Sequence, residues 1–183
     1  MSALNDIEIF LDETAIKKRV KELGRKIDLA YADLNPVVVI VLKGSFVFAS
    51  DLVRTLGTPL EIEFIRCRSY GSETTSSGVV EITMDLNMSI KSRHVLLVED
   101  IVDTGLTARY LINHLLLKNP LSLKVCSFLH KPAKTVEDVK IDFCGFEAPD
   151  RFLIGYGLDF DEKYRELPFI GFLPPDDGEQ KES

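Results

Sequence analysis

The stretch that decides the fold is Val95-Leu96-Leu97-Val98-Glu99-Asp100-Ile101-Val102-Asp103-Thr104-Gly105-Leu106-Thr107. The four apolar residues at its start are typical of a strand that is buried on both faces of a parallel sheet. Apolar residues then recur at helical spacing and predict a helix over residues 107–118; they are Ala108, Leu111, Ile112 and Leu115. A buried strand, a turn and a helix in this order indicate an α/β fold.

The rest of the chain repeats this alternation. A second β-branched run, Val37-Val38-Val39-Ile40-Val41-Leu42, predicts another fully buried strand. The other predicted helices are residues 13–32 and 46–56, and the other predicted strands are residues 61–68, 123–129, 141–145 and 152–155. We therefore expect a mostly parallel central sheet flanked by helices. Residues 1–174 are interpreted as a single domain, and residues 175–183 as a polar tail.

Composition excludes several classes of protein. Lys and Arg total 22 against 29 Asp and Glu, which gives a net charge of -7 and argues against binding to duplex nucleic acid. The N-terminus lacks the features of a signal peptide, and no apolar run approaches the ~20 residues that span a bilayer. No membrane partner and a cytoplasmic location are therefore expected. The three cysteines have no CxxC spacing and are interpreted as free thiols of a reducing compartment.

The end of the central strand has the chemistry of a sugar-phosphate site. Thr104, Gly105 and Thr107 open a helix, where backbone N–H groups and hydroxyls can hold a phosphate. Glu99 and Asp100 suit ribose hydroxyls or a hydrated Mg²⁺, which prefers oxygen ligands. Because ligands of parallel sheets bind beyond the carboxyl ends of the strands, both features are expected in one ribose 5-phosphate site.

A polar segment follows the third predicted strand. Residues 69–78 are small and polar, without periodicity, and predict a mobile loop. A loop of this length in the middle of a compact domain is typical of an active-site lid.

Several motifs together resemble a known family. The stretch from Val95 to Thr107 resembles the phosphoribosyl pyrophosphate motif of type I phosphoribosyltransferases. Further motifs resemble the hypoxanthine (hypoxanthine-guanine) phosphoribosyltransferases of the bacterial type; they are Leu42-Lys43-Gly44, Ser69-Tyr70-Gly71, Phe146-Glu147-Ala148-Pro149-Asp150-Arg151-Phe152 and Gly155-Tyr156-Gly157-Leu158-Asp159. The resemblance covers residues 37–171, and its motifs occur in the expected order. It implies a type I phosphoribosyltransferase fold with a small hood and a flexible active-site loop.

The resemblance also implies an activity. It is the Mg²⁺-dependent transfer of a 5-phosphoribosyl group from phosphoribosyl pyrophosphate to N9 of hypoxanthine or guanine, which gives IMP or GMP and pyrophosphate in purine salvage. The implied partners are these two substrates, and the implied assembly is a homodimer or homotetramer.

Roles for individual residues follow from the same resemblance. Asp103 would be the catalytic residue, acting on the purine N7 proton. The implied ribose and 5-phosphate residues are Glu99, Asp100, Ile101, Val102, Asp103, Thr104, Gly105, Leu106 and Thr107. The implied pyrophosphate residues are Lys43, Gly44 and Arg165, with a cis peptide bond between Leu42 and Lys43, and the implied lid residues are Ser69 and Tyr70. The implied purine residues are Lys131, Phe152, Leu153 and Asp159, and the implied metal ligands are Glu99, Asp100 and Asp159.

The sequence leaves three other functions to compare with this one. An RNA-binding regulator of pyrimidine operons shares the fold and the main motif, but the net charge of -7 disfavours it. A P-loop enzyme is disfavoured because the sequence contains no G-x-x-x-x-G-K-[ST] motif. A phosphoribosyltransferase for another base stays open, and xanthine is the serious alternative because discrimination depends on the group at C2.

Overall fold

The computed structural model describes residues 7–72 and 75–173, and between residues 69 and 79 it describes the backbone alone. The predicted tail over residues 175–183 therefore lies outside the described residues, as do the side chains of the predicted lid residues Ser69 and Tyr70.

A six-stranded sheet forms the centre of the molecule. Its strands are β2 (Val37–Leu42), β3 (Glu61–Ser72), β4 (Thr75–Met84), β5 (His94–Val102), β6 (Ser122–His130) and β7 (Phe143–Glu147). Their order across the sheet is β4-β3-β2-β5-β6-β7, and β4 alone runs antiparallel to its neighbour. The prediction of a mostly parallel sheet is confirmed.

Three helices cover the two faces of this sheet. They are α1 (Glu13–Ala30), α2 (Phe46–Val53) and α3 (Leu106–Leu116). Alternate residues of the strands point to opposite faces, so Val38 and Ile40 of β2 pack in one core cluster with α1 and α2. Val37 and Val39 pack on the other face in a cluster with α3. No helix within the described ranges is both long enough and apolar enough to cross a membrane.

The helix boundaries differ from the predicted ones by a few residues. The first helix begins after Asp12, whose carboxylate accepts a hydrogen bond from the backbone N–H of Ala15 at 2.7 Å. It ends at Ala30, two residues before the predicted end, and α2 and α3 also end two or three residues early. Helix ends carry few packing contacts, and periodicity therefore defines them poorly.

A small antiparallel sheet forms a hood beside the carboxyl ends of the parallel strands. Its strands are β1 (Glu8–Leu11), β8 (Leu153–Ile154) and β9 (Ile170–Phe172), in the order β1-β9-β8. The rings of Phe10 and Phe172 pack with their centroids 5.3 Å apart and help to join the two ends of the chain. The hood implied by the family resemblance is thus present, although the sequence patterns predicted neither β1 nor β9.

The prediction of an irregular loop over residues 69–78 is wrong for most of its backbone. Strand β3 continues to Ser72 and β4 begins at Thr75, so the segment is the outer end of an antiparallel hairpin. The cross-strand partner provides the backbone hydrogen bonds that the polar sequence does not predict, and Thr is well tolerated in strands. Residues 73 and 74 of the predicted loop lie outside the described residues.

Candidate active site

A cavity of about 420 Å³ lies where β2 and β5 end and α3 begins. Its lining includes most of the predicted sugar-phosphate and pyrophosphate residues, namely Lys43, Gly44, Glu99, Asp100, Ile101, Val102, Asp103, Thr104, Gly105, Thr107 and Arg165. It also includes Asp159, a predicted purine and metal residue. Leu106 does not line this cavity. The parallel register of β2 and β5 brings Lys43 and Glu99 to the same edge of the sheet, as expected for an α/β fold.

The N-terminus of α3 forms one wall of the cavity. Gly105 is its N-cap, with a left-handed φ of 84° that favours glycine. A Cβ at this position would collide with the carbonyl oxygen of Glu137. That oxygen belongs to a neighbouring loop whose N–H groups at Val136 and Glu137 donate to the Thr104 carbonyl at 2.9 and 3.1 Å. Contacts with this loop therefore fix the turn at the start of α3. The N–H groups at a helix start can bind a small anion.

A buried carboxylate pair lies beside this helix start. Glu99 is 4% exposed, and burial together with the neighbouring Asp100 raises its pKa to about 8. Burial also raises the pKa of Asp100, although its hydrogen bonds, one of them from Ser45 Oγ at 3.3 Å, act in the opposite direction. The Cys67 thiol lines the same cavity, and its pKa is raised to about 11 by burial and by these two carboxylates. A cation or hydroxyl groups bound at this site would stabilise the ionised form of both carboxylates.

Asp103 and Lys131 face each other across the cavity wall. The Lys131 Nζ lies 3.7 Å from Asp103 Oδ2, and the Lys131 side chain is only 7% exposed. Lys131 follows β6, and its backbone N–H donates to the Val102 carbonyl at 2.9 Å. Two adjacent strand ends therefore hold this acid and this cation at one position.

Unpaired polar atoms indicate where ligands bind. Within residues 7–72 and 75–173, three buried side-chain atoms have no hydrogen-bond partner: Glu99 Oε1, Asp103 Oδ1 and Arg165 Nε. All three residues line the same cavity. Because buried polar groups are almost always hydrogen-bonded in folded proteins, three exceptions at one place point to a polar ligand.

A second cavity of about 500 Å³ adjoins the first and is rich in cations. Its lining includes Lys43, Arg66, Arg68 and Arg165, together with Asp159 and Glu162. Arg165 is held by the Gly157 carbonyl at 2.8 Å and by Asp159 Oδ1 at 2.8 Å. The cis peptide bond expected between Leu42 and Lys43 is present.

Two glycines allow the loops around this second cavity to touch. Gly157 has a φ of 102°, and a Cβ on it would collide with the carbonyl oxygen of Gly44. A Cβ on Gly44 would in turn collide with the carboxylate of Asp100. The backbone of the loop after β2 is therefore in close contact with two other parts of the site.

A third cavity of about 670 Å³ lies under the hood, and Asp159 lines it as it lines the other two. The predicted purine residues are all part of its wall; they are Lys131, Phe152, Leu153 and Asp159. Phe152 is 50% exposed and packs edge to face against Phe160, with ring centroids 5.6 Å apart. An exposed ring held in this way offers a flat surface for an aromatic ligand.

The predicted metal ligands are all oxygen donors and lie around these joined cavities. Of the residues that the structure describes, none form a group of three or more side chains spaced to hold a metal by themselves. Mg²⁺, however, usually binds one or two carboxylates and completes its shell with water and substrate phosphates. The buried pair Glu99 and Asp100, with its unpaired oxygen, fits such partial coordination.

Sequence reasoning missed several residues of the cavity walls. Arg66 and Cys67 lie on β3, and Lys134 and Asp150 form an ion pair of 3.0 Å beside the third cavity. Glu162 lies in a segment of mostly charged residues, a pattern typical of a solvated surface. The signal available for Arg66 and Arg68 was their alternation at the end of a strand that leads to the predicted lid.

Comparison with known proteins agrees with this geometry. The family model described as "Phosphoribosyl transferase domain" matches residues 6–161. The hypoxanthine-guanine phosphoribosyltransferase of Bacillus subtilis is 45% identical over 172 residues, which are 93% of this chain and 96% of that protein. The enzyme of the same name from Dictyostelium discoideum is 49% identical over 170 residues, 91% of this chain and 94% of that protein.

Solved structures give the same result. The crystal structure of a hypoxanthine phosphoribosyltransferase from Staphylococcus aureus has a TM-score of 0.90 at 39% sequence identity, covering 96% of this chain and 97% of that one. The chain therefore belongs to the phosphoribosyltransferase family and has its type I fold.

Proposed function

We propose that this protein transfers the 5-phosphoribosyl group of phosphoribosyl pyrophosphate to N9 of hypoxanthine or guanine, releasing pyrophosphate and giving IMP or GMP for purine salvage. The observation that carries this proposal is the meeting of three cavities at Asp159. One has a phosphate-binding helix start and a carboxylate pair, one is lined by cations, and one has an exposed aromatic ring. The names of the relatives support the choice of purine bases.

The first cavity suits the sugar phosphate. The start of α3, from Thr104 to Thr107, offers backbone N–H groups and hydroxyls to the 5-phosphate, aided by the helix dipole. Glu99 and Asp100 lie beside it and would accept hydrogen bonds from the ribose hydroxyls. Such contacts hold the anomeric carbon at a fixed position between the other two cavities.

The third cavity suits the base. Phe152 offers a stacking surface, and Lys131 would donate a hydrogen bond to the O6 carbonyl of the purine. Asp103 lies within 3.7 Å of the Lys131 ammonium and would take the proton from N7. As that proton leaves, N9 forms a bond to the anomeric carbon, and the bond between that carbon and the pyrophosphate oxygen breaks.

The second cavity suits the leaving group. Lys43 and Arg165 would neutralise the charge that develops on pyrophosphate as the bond breaks. The β3–β4 hairpin borders this region, and we propose that its outer end closes over the substrates to exclude water.

Mg²⁺ completes the proposed chemistry. Glu99 and Asp100 would hold it through ribose hydroxyls and water, and Asp159 would hold a second ion; when bound, the metal supplies positive charge to the departing pyrophosphate.

The proposal extends to the setting of the enzyme. We expect one domain over residues 1–174 with a polar tail, assembled as a homodimer or homotetramer. The three cysteines are free, and Cys126 is fully buried, which supports the reducing environment of the cytoplasm.

A parallel assay tests the function directly. Purified protein is given phosphoribosyl pyrophosphate, Mg²⁺ and one of hypoxanthine, guanine, xanthine or adenine, and nucleotide formation is followed by absorbance. We expect turnover of hypoxanthine or guanine that a chelator abolishes. Asp103→Asn should lower kcat by about 10²- to 10⁴-fold, because it removes the acceptor for the N7 proton.

A matched variant separates catalysis from folding. Asp33 is an exposed residue that follows α1 and is not part of the lining of the three cavities. Asp33→Asn should therefore keep wild-type activity. No turnover with any base, from folded protein that still binds the sugar pyrophosphate, would contradict the proposal. RNA binding by such a protein would then favour the regulator.

A further inference from the structure

Glu162 places a carboxylate between two cations of the second cavity. Its Oε2 lies 2.7 Å from Lys43 Nζ and 3.2 Å from Arg165 Nη2. Residues 43 and 162 are 119 positions apart in the chain, so this contact belongs to the folded site rather than to a local turn. A side-chain anion thus holds the two cations that we assign to the leaving pyrophosphate.

The charge balance of this cavity explains why the contact forms. The described lining contains four cationic side chains and two carboxylates, those of Asp159 and Glu162. Asp159 already pairs with Arg165, whereas Glu162 reaches both Lys43 and Arg165. The hydrogen bonds from Lys43 and Arg165 lower the pKa of Glu162, so it is an anion at neutral pH. An excess of cations therefore attracts it in the way that it would attract a bound anion.

The turn that carries Glu162 fixes its backbone but leaves its side chain free to move. Asp161 and Glu162 have φ values of 50° and 62°, and Phe160 and Lys163 exchange two backbone hydrogen bonds of 3.1 Å. The Glu162 N–H also donates to Asp159 Oδ2 at 2.9 Å. By contrast, the Glu162 side chain is 63% exposed, so much of it already lies in solvent.

We propose that Glu162 is an internal competitor for the pyrophosphoryl group. It holds Lys43 and Arg165 while the second cavity lacks a ligand, moves aside when the pyrophosphoryl group of the substrate binds, and returns as pyrophosphate leaves. The inference rests on the function proposed above, and it assigns to Glu162 a role in ligand affinity and release rather than in bond cleavage.

The expected effect is a gain in affinity when the competitor is removed. Glu162→Gln keeps the size of the side chain but removes its charge, so pyrophosphate no longer displaces an anion. Exposed ion pairs of this kind contribute modestly, which corresponds to a dissociation constant for pyrophosphate about two- to tenfold lower than that of the wild type. The dissociation rate of pyrophosphate should fall by a similar factor.

The control is a second carboxylate on the same turn. Asp161 is 78% exposed and pairs only weakly with Lys163, at 3.5 Å. Asp161→Asn therefore changes the net charge near the cavity by the same amount without touching Lys43 or Arg165. The change in pyrophosphate affinity caused by Asp161→Asn measures the effect of net charge alone. The difference in affinity between Asp161→Asn and Glu162→Gln measures the direct competition.

Titration calorimetry with inorganic pyrophosphate and Mg²⁺ tests the inference on the wild type, Glu162→Gln, Glu162→Ala and Asp161→Asn. We expect both Glu162 variants to bind pyrophosphate more tightly than Asp161→Asn. All four proteins should bind IMP equally, since IMP has no pyrophosphoryl group, and should have similar Tm values.

The possible failures are distinguishable. Equal pyrophosphate affinity in the Glu162 variants and in Asp161→Asn would overturn the competitor role, while turnover in the wild type would leave the proposed function standing. A wild type that neither binds pyrophosphate nor forms nucleotide would overturn the proposed function and this inference together.

Discussion

At the scale of single residues, Glu99 is the most unusual group in the site. Its carboxyl is nearly inaccessible and has an oxygen without a hydrogen-bond partner, and its pKa is raised from 4.5 to about 8. The ligand-free protein therefore holds a large fraction of Glu99 as the neutral acid at neutral pH. Binding of a cation would favour the ionised form and release a proton.

This pKa predicts how stability depends on pH. The folded state binds one more proton than the unfolded state between about pH 4.5 and pH 8. The resulting stabilisation is fully present below pH 4.5 and is lost as the pH rises through 8. Glu99→Gln removes this dependence, so we expect it to be more stable than the wild type at pH 8.5, by roughly 1–3 kcal/mol or several degrees in Tm.

Thermal unfolding of the metal-free proteins from pH 5 to 8.5 measures this difference. An exposed control, Glu166→Gln, should follow the wild-type curve at every pH. If the Tm difference between Glu99→Gln and the wild type stayed constant over this range, Glu99 would not have the raised pKa.

The sequence predicts correctly which residues line a common cavity when these residues are neighbours in one motif. Glu99, Asp100 and Asp103 follow a single buried strand, so one motif brought them to the same cavity. Glu162 lies in a charged segment that is typical of a solvated surface. Its partner Lys43 lies 119 positions earlier in the chain, and only the folded structure brings the two side chains together.

At the scale of elements, the loop between β2 and α2 is built around close backbone approach. A Cβ on Gly44 would overlap the Asp100 carboxylate, yet its φ lies outside the left-handed region, so the backbone itself would accept alanine. We expect Gly44→Ala to displace Asp100 and to lower kcat/KM by about tenfold or more, since each ~1.4 kcal/mol lost in the transition state is a factor of ten.

Gly57→Ala is the matched control for this variant. Its Cβ would lie 3.7 Å from Asp28 Oδ2, at ordinary contact distance. Steady-state kinetics should show wild-type kcat/KM for Gly57→Ala. Equal activity in the two variants would mean that the site tolerates movement of Asp100.

The elements that the sequence predicted are those with a strong period or a continuous apolar run. β2, β5 and α3 belong to this class, because each buries its apolar residues in the main core. The hood strands β1 and β9 are only four and three residues long, and each depends on a partner at the opposite end of the chain. The outer end of the β3–β4 hairpin was not predicted for a similar reason. Its strands depend on cross-strand hydrogen bonds, which a polar sequence does not indicate.

At the scale of the whole molecule, the prediction concerns the mass of the protein assembly in solution. Sedimentation velocity at micromolar concentration should give two or four times the chain mass of 20.6 kDa. Homo-oligomers with closed symmetry are common among soluble enzymes, and their apparent stability depends on protein concentration. A sedimentation coefficient that corresponds to the single chain at all concentrations would contradict a dimer or tetramer.

The contact between the Gly44 carbonyl and Gly157 has a consequence for protein engineering. The two glycines lie on opposite sides of any crossover point between residues 44 and 157, so a chimera with a homologue inherits them from different parents. Any parent that supplies a side chain at position 157 would push the loop of the other parent out of place. The loops that carry Gly44 and Gly157 should therefore come from the same parent. Recombination or loop grafting in this fold should exchange both loops together.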